Sequence, residues 1–258
     1  MTNIQFVMFG IFGRKRTLLR EHLEDFYDIH SHLLWGVDDG CRDAEHTLAL
    51  DAELAELGFK GAYLTPHIIY GLYGNNTEER LRKRFQEMPE GMKLEVRLAA
   101  EYNLDERFME HVEAADNMLT MGDNHLLVEF GLGTSRVGSH LNDLFEAAIR
   151  GKNIIIAHPE RYAFLAEERN YHELEKLTSK GYKLQLNLLS LAGLHGDKAK
   201  RVAEEMLLSG KYTFVGSDTH SHIYIKALRE ATISSKVVEP LRALMENNKR
   251  LFGLTSKV

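Results

Sequence analysis

The sequence predicts an α/β fold in which parallel strands alternate with helices and curl into a closed or nearly closed barrel. An open doubly wound sheet is the competing arrangement. Three observations carry this. Seven short apolar runs alternate with stretches of helical pattern along the 258 residues. Several runs, such as Ile154, Ile155, Ile156 and Ala157, are apolar at consecutive positions, as strands covered on both faces are. With 44% hydrophobic and 27% charged residues, a chain of this length can bury one sizeable core.

The elements follow in order. A first run over 26–29 ends at His30, and a helix over 43–57 places Leu48, Ala52, Leu54 and Ala55 on a shared face before Gly58 stops it. The second run, 61–65, ends at Pro66 and His67. Thr77 then caps a charged helix through Phe85, with Glu78 and Glu79 suited to its first turn. A third run, 94–100, ends at Glu101 and precedes a helix over 105–116. The fourth, 126–128, ends at Glu129, and its helix over 140–150 stops at Gly151. The fifth, 154–157, ends at His158 and leads to a helix over 171–179. The sixth, 184–186, ends at Asn187, with a helix over 197–209. The seventh, 212–216, ends at Ser217 and Asp218, and a last helix spans 239–250. Residues 1–25 are expected to form an N-terminal extension and residues 26–258 a single domain.

Composition narrows the function. Net charge is −6, so no global basic field draws in nucleic acid. One cysteine, Cys41, excludes an intramolecular disulfide and points to a reducing compartment, so the expected location is cytoplasmic. No apolar run reaches the roughly 18 residues of a spanning helix. The head MTNIQFVMFGIFG precedes Arg14, Lys15 and Arg16, the reverse of a secretory signal, and Met8 offers an alternative start. This head fits an ordinary frayed terminus, or a peripheral contact with an anionic inner membrane surface.

The strand ends are the most informative positions. In a β/α barrel the C-terminal ends of the strands converge on one face. His30, His67, Glu101, Glu129, His158, Asn187 and Asp218 would therefore point at one mouth, and all but Asn187 are potential metal ligands. His30 and His32 form a His-x-His pair whose imidazoles leave a strand on the same side. Asp218 and His220 repeat that spacing. With Asp39, the candidates are His30, His32, Asp39, His67, Glu101, Glu129, His158, Asp218 and His220. Imidazole with carboxylate suits zinc, manganese or iron. One such ion takes three or four protein ligands, so this set implies two or three divalent ions sharing carboxylates. His22, His46, His111, His125, His140 and His172 read as surface or packing residues, whereas His195 and His222 stay open.

A polynuclear site activates water and neutralises charge on a phosphoryl group. Arg161, just past a strand end, either holds a phosphate or pairs with Glu160 or Glu168. A cysteine phosphatase would need arginine six residues after Cys41, where Thr47 stands. No Gly-x-Ser-x-Gly elbow or Walker-type loop appears, and Gly131-Leu132-Gly133 is too short to support a nucleotide site.

DIHSHLLWGVDDG (28–40), LTPHI (64–68), YGNNTEE (73–79), AAEYNLDERF (99–108), LLVEF (126–130), IIAHPERY (155–162), LQLNLLSLAGLHG (184–196) and VGSDTH (215–220) occur in an order that resembles the PHP-superfamily phosphoesterases. Within that superfamily they are most similar to the bacterial protein-tyrosine phosphatases of capsular and exopolysaccharide operons. The resemblance spans about residues 26–253. It implies a distorted TIM-like (β/α)7 barrel of the PHP type, with metal bound by the nine residues above and Glu101 bridging two ions. It implies Arg161, Asp218 and His220 in catalysis, Arg161 on the substrate phosphate, and manganese, iron or zinc as the metal. The implied substrate is phosphotyrosine on the tail of a bacterial tyrosine kinase that controls polysaccharide export, cleaved by a metal-bound hydroxide. Alternatives are a small-molecule phosphomonoesterase, such as a histidinol phosphatase, and a regulatory module without activity. Tyr70 and Tyr73, in a loop with Gly71 and Gly74, are candidates to stack on the substrate ring. Trp35 stands where the family usually has proline, Cys41 where small residues are common, and Lys226 or Arg229 where a second phosphate-binding arginine is expected.

Overall fold

The computed structural model describes residues 15–73, 76–131, 134–138, 140–162, 164 and 172–254. The described chain opens with β1 (Arg16–Leu18), then β2 (Phe26–Ser31), α1 (Ala44–Glu56), β3 (Phe59–Leu64), β4 (His67–Ile68) and α2 (Glu78–Gln86). Next come β5 (Glu95–Leu98), β6 (Glu101–Asn103), α3 (Phe108–Glu113), β7 (His125–Glu129), α4 (Leu141–Ile149) and β8 (Asn153–Ile156). The remainder is α5 (His172–Thr178), β9 (Lys183–Asn187), α6 (Leu188–Ala192), α7 (Gly196–Leu208), β10 (Phe214–Gly216), α8 (His222–Glu230), β11 (Thr232–Ser234) and α9 (Val238–Leu251).

One parallel sheet runs β10-β9-β8-β7-β6-β4 and a second runs β2-β3-β5. Pro66, which has no N–H to give a ladder, stands between β3 and β4. Hydrogen bonds from Ala99 N to Leu64 O (2.9 Å) and Glu101 N to Pro66 O (3.1 Å) carry the pairing across that break into β6. At the other end, Asp218 N donates to His30 O (2.7 Å) and His32 N to Thr219 O (3.0 Å), so β2 meets the end of β10. The result is a strongly curled parallel arrangement whose strand ends face one another.

Alternation along the strands divides the core. Leu126, Val128, Ile154, Ile156, Leu184 and Leu186 pack against helix side chains such as Leu144, Leu174, Val202 and Met206. Ile29, Tyr63, Leu127, Ile155 and Phe214 pack instead among themselves and with Leu251 and Phe252. Burial on both faces explains the uninterrupted apolar runs.

Side-chain caps mark the start of α1, α2 and α6. The Asp43 carboxylate accepts from His46 N and starts α1, and Thr77 Oγ1 accepts from Arg80 N and starts α2. The buried face of α1 is Thr47, Leu50, Asp51 and Leu54 rather than the expected stripe through Leu48, Ala52 and Ala55. Asp51 turns inward because its carboxylate accepts from Lys93 N (2.6 Å) and Leu94 N (3.1 Å). The helix expected over 105–116 is confined to α3 and a 3-10 turn over Ala115–Asn117.

Six elements lie outside the sequence expectation: α6, α8, the strands β4 and β6, which continue past the ends expected for the runs over 61–65 and 94–100, and the antiparallel pair β1 and β11, in which Arg16 faces Ser234 and Leu18 faces Thr232. Leu19 and Leu23, counted with the extension in the sequence reading, are fully buried. Packing therefore reaches upstream of residue 26. The apolar head over residues 1–13 lies outside the described residues. No described helix is long and apolar enough to cross a membrane.

Candidate metal centre

The strand ends deliver a cluster of imidazoles and carboxylates. His30 and His32 leave the end of β2 on one side, with their Nε2 atoms 3.2 Å apart. Each ring is oriented from behind. His30 Nδ1 donates to Gln185 Oε1 (3.1 Å) and His32 Nδ1 to Asp38 Oδ2 (2.9 Å). Once deprotonated, two rings held this way would aim their Nε2 lone pairs at the same region, an arrangement that suits a cation. The loop carrying Asp38 and Asp39 returns so closely that a Cβ on Gly40 would lie 2.0 Å from His32 O. Only glycine fits there.

Glu101, fully buried at the start of β6, sits at the centre. Its Oε2 lies 3.2 Å from His30 Nε2, 3.6 Å from His32 Nε2 and 3.1 Å from His67 Nδ1, while Oε1 lies 3.0 Å from His158 Nε2. Glu101 Oε2 and His67 Nδ1 make no hydrogen bond of good geometry despite their proximity, and His158 Nδ1 also lacks a partner among the described residues. Glu129 Oε1, at the end of β7, is 3.4 Å from His67 Nδ1. Asp218 Oδ1 lies 3.4 Å from the Nε2 atoms of both His30 and His32. His220 stacks on His32 at 3.8 Å, and its Nε2 is 3.4 Å from the half-exposed Asp39. His158 (φ 31°) and Asp218 (φ 54°) both adopt left-handed backbone conformations, a strain often found at functional sites.

All nine nominated residues enter one or more of four groups whose donor atoms lie within 4.8 Å of one another. These are His32, Asp39, His67 and His220; His30, His158 and Asp218; His30, His32 and Glu101; and His67, Glu101 and Glu129. The groups share members, so neighbouring ions could share Glu101. The charges respond to one another. Burial opposes ionisation of Glu101, but the charges on His30 and His67 hold its carboxyl well below the usual range. Burial and the His67 charge press His32 down, and Asp38 and Asp218 outweigh them to raise it to about 9. The raised affinities of His30, His32 and His67 for protons thus balance ionised carboxylates where a divalent ion would otherwise do so. The donor types, the shared aim of the nitrogens and the unpaired buried atoms all fit transition-metal ligation.

Arg161 lies at the edge of this cluster, 21% exposed, and its Nη1 donates to Asp218 Oδ2 (2.7 Å). Neither surface pairing considered for it occurs among the described residues, which exclude Glu168. Asn187 Nδ2 donates to the same oxygen (2.8 Å). Asp38 and Gln185 are orienting groups that the sequence analysis does not select, and Asn187, read there as a strand end at the mouth but not as a ligand, is a third.

A cavity of about 350 Å³ opens over the cluster and includes Arg161, Asn103, Ile69, Leu72 and Tyr224 in its lining. Tyr70 lies in a neighbouring hollow of about 310 Å³, with the Arg107 guanidinium 5.3 Å from its ring. Tyr73 stacks on His67 (5.5 Å, 7°). Burial, then the Asp39 charge and hydrogen bond, push its hydroxyl up to about 12. The loop lines the cavity with Ile69 and Leu72, while Tyr73 packs beside it on His67 and Asp39; Gly74 lies outside the described residues. His222 pairs with Glu53 (2.6 Å), away from the mouth, and Arg229 with Glu56 (3.3 Å). His195 Nδ1 meets Ser190 Oγ at 3.0 Å.

The family model described as capsular polysaccharide synthesis, CpsB/CapC, matches residues 26–234. Tyrosine-protein phosphatase YwqE of Bacillus subtilis (strain 168) is 29% identical over 202 residues, covering 75% of this chain and 77% of that protein. Tyrosine-protein phosphatase CpsB of Streptococcus pneumoniae is 30% identical over 206 residues, covering 75% and 82%. A crystal structure from work on YwqE of Bacillus subtilis and CpsB of Streptococcus pneumoniae, described as unique metal-dependent tyrosine phosphatases, superposes with a TM-score of 0.69. At 24% identity it covers 89% of this chain and 95% of the other, and it establishes the shared fold.

Proposed function

The chain belongs to the capsular polysaccharide synthesis family CpsB/CapC, and we propose on that footing that it is a metal-dependent protein-tyrosine phosphatase. The observation that carries the reading is the convergence of nine imidazole and carboxylate side chains beside the part-buried Arg161. His32, Asp39, His67 and His220 would hold one ion, and His30, His158 and Asp218 a second. Glu101 would be shared between them, and Glu129 with His67 would complete a third position. Manganese, iron or zinc fits these donors. Such ions lower the pKa of water and offset charge on a phosphoryl group.

The chain's own groups do the rest. Arg161 is anchored through Nη1 to Asp218, which leaves its remaining N–H groups to take phosphate oxygens as a fork. Asp218 divides its work, with Oδ2 fixing Arg161 and Asn187 while Oδ1 faces the imidazoles. Asp38 and Gln185 keep Nε2 of His32 and His30 directed inward.

The curled sheet is best read as a distorted (β/α)7 barrel of the PHP type, a reading supported by the backbone hydrogen bonds between the ends of β2 and β10. The phosphotyrosine would lie on the tail of a bacterial tyrosine kinase that governs polysaccharide export, with the enzyme in the cytoplasm. A contact of residues 1–14 with the inner membrane surface belongs to the same proposal.

Metal analysis of purified protein, paired with phosphate release from a phosphotyrosine peptide and from histidinol phosphate before and after chelation, tests it. Two or three transition-metal ions per chain and chelator-sensitive turnover of the peptide are expected. Turnover of histidinol phosphate alone would replace this reading with a small-molecule phosphatase. Absence of both bound metal and metal-restored turnover would overturn it.

A further inference from the structure

The cavity over the cluster has a buried polar floor, and its rim sets apolar side chains beside the exposed Asp39 and the part-buried Arg161 and Asn103. Asp218, His158 and Glu129 are buried, whereas Ile69 and Tyr224 are half-buried and Leu72 is 58% exposed. The rim residues come from separate places. Ile69 and Leu72 follow β4, and Tyr224 stands in the first turn of α8, its ring 5.4 Å from that of His220. A leucine left this exposed at the lip of a charged cavity gains from being covered by an apolar group.

We propose that Ile69, Leu72 and Tyr224 form an apolar collar that takes the aromatic ring of the substrate and so sets a preference for aryl over alkyl phosphate esters. This rests on the phosphatase reading above. Arg161 fixes the height of the phosphate by its bond to Asp218 at the floor. In an aryl ester the ring begins one oxygen beyond phosphorus, so it rises directly between the rim side chains. An alkyl ester presents a single methylene there and leaves Leu72 and Tyr224 in water. Tyr70, in the neighbouring hollow, and Tyr73, stacked on His67, take no part in this collar.

Inhibition of phosphotyrosine-peptide hydrolysis by benzylphosphonate, whose CH2 stands in for the ester oxygen, and by ethylphosphonate, in metal-supplemented buffer, tests the collar. Wild-type protein is expected to bind benzylphosphonate the more tightly. Leu72→Ala and Tyr224→Ala should each shrink the ratio of the two inhibition constants by about tenfold, with the loss in the peptide reaction appearing as a raised KM. Tyr224→Phe should preserve the ratio. Equal inhibition of wild type by the two phosphonates, or an unchanged ratio in both alanine variants, would overturn the collar while leaving the phosphatase reading intact. Failure of wild type to release phosphate from the peptide would overturn that reading, and the collar with it.

Discussion

Asp218 touches both halves of the site at once. One oxygen accepts from Arg161 and Asn187, and the other faces His30 and His32 across 3.4 Å. Asp218→Asn keeps the shape but removes the charge that holds Arg161 and balances the imidazoles. We expect turnover to fall roughly 100-fold or more and metal content to drop, with the far-ultraviolet circular dichroism unchanged. Near-normal turnover would remove Asp218 from the machinery. His195 shows the reverse electrostatics. Burial, and then the Arg161 charge, press its imidazole down to about 4. A histidine lowered in the folded state takes its proton only after the unfolded chain has done so. Its contribution to stability is therefore present above about pH 6.5 and is lost as pH falls from there through about 4. Unfolding free energies measured over that window should rise with pH, and less steeply in His195→Gln. Equal slopes would refute the assignment. None of this was visible in the residue types alone, because His195 and Arg161 are brought together by β9 and β8 rather than by chain proximity.

The strands set the geometry at the next scale. Gly216 in β10 approaches β2 so closely that a Cβ there would sit 2.5 Å from His30 Cβ and 2.9 Å from Gln185 Nε2. Gly216→Ala must push His30 or Gln185 aside, a change expected to cost about 1–3 kcal/mol and to weaken metal binding as well. Thermal unfolding with and without added metal checks both parts, and an unaltered transition would show that the strands separate freely. The elements with strong local grammar were legible in the sequence. Asp43 and Thr77 cap their helices, and Glu129 and Asn187 end their strands where the pattern puts them, whereas His67 and Glu101 open the separate strands β4 and β6. Misreadings arose where a distant partner decided. Asp51 sits on the buried face of α1 because it binds the backbone of residues 93 and 94. The five-residue α6 is too short for periodicity to reveal, although Asn187 at its N-cap and Gly193 (φ 89°) just past its end were local signs of it.

For the whole molecule, the antiparallel pairing of β1 with β11 joins residues 16–18 to residues 232–234. It brings with it Leu19 and Leu23, both fully buried. Burial of each leucine is worth roughly 1.5–3 kcal/mol. A chain beginning at residue 26 should therefore melt several degrees below the full-length protein, or fail to fold, and equal melting temperatures would show that the pairing contributes nothing. The nine clustered side chains gather at one mouth of the described fold. By itself the sequence determined the alternation of strands and helices and the residue type at each strand end, because both are properties of adjacent residues and a fixed period. The tertiary structure decided which atoms face one another. His30 turns its Nε2 inward because Gln185, 155 positions away, takes its Nδ1 proton, and Leu72 reaches the cavity where Tyr70 does not. Those outcomes depend on strand register and on how far the sheet curls, and neither is encoded in any local stretch of chain.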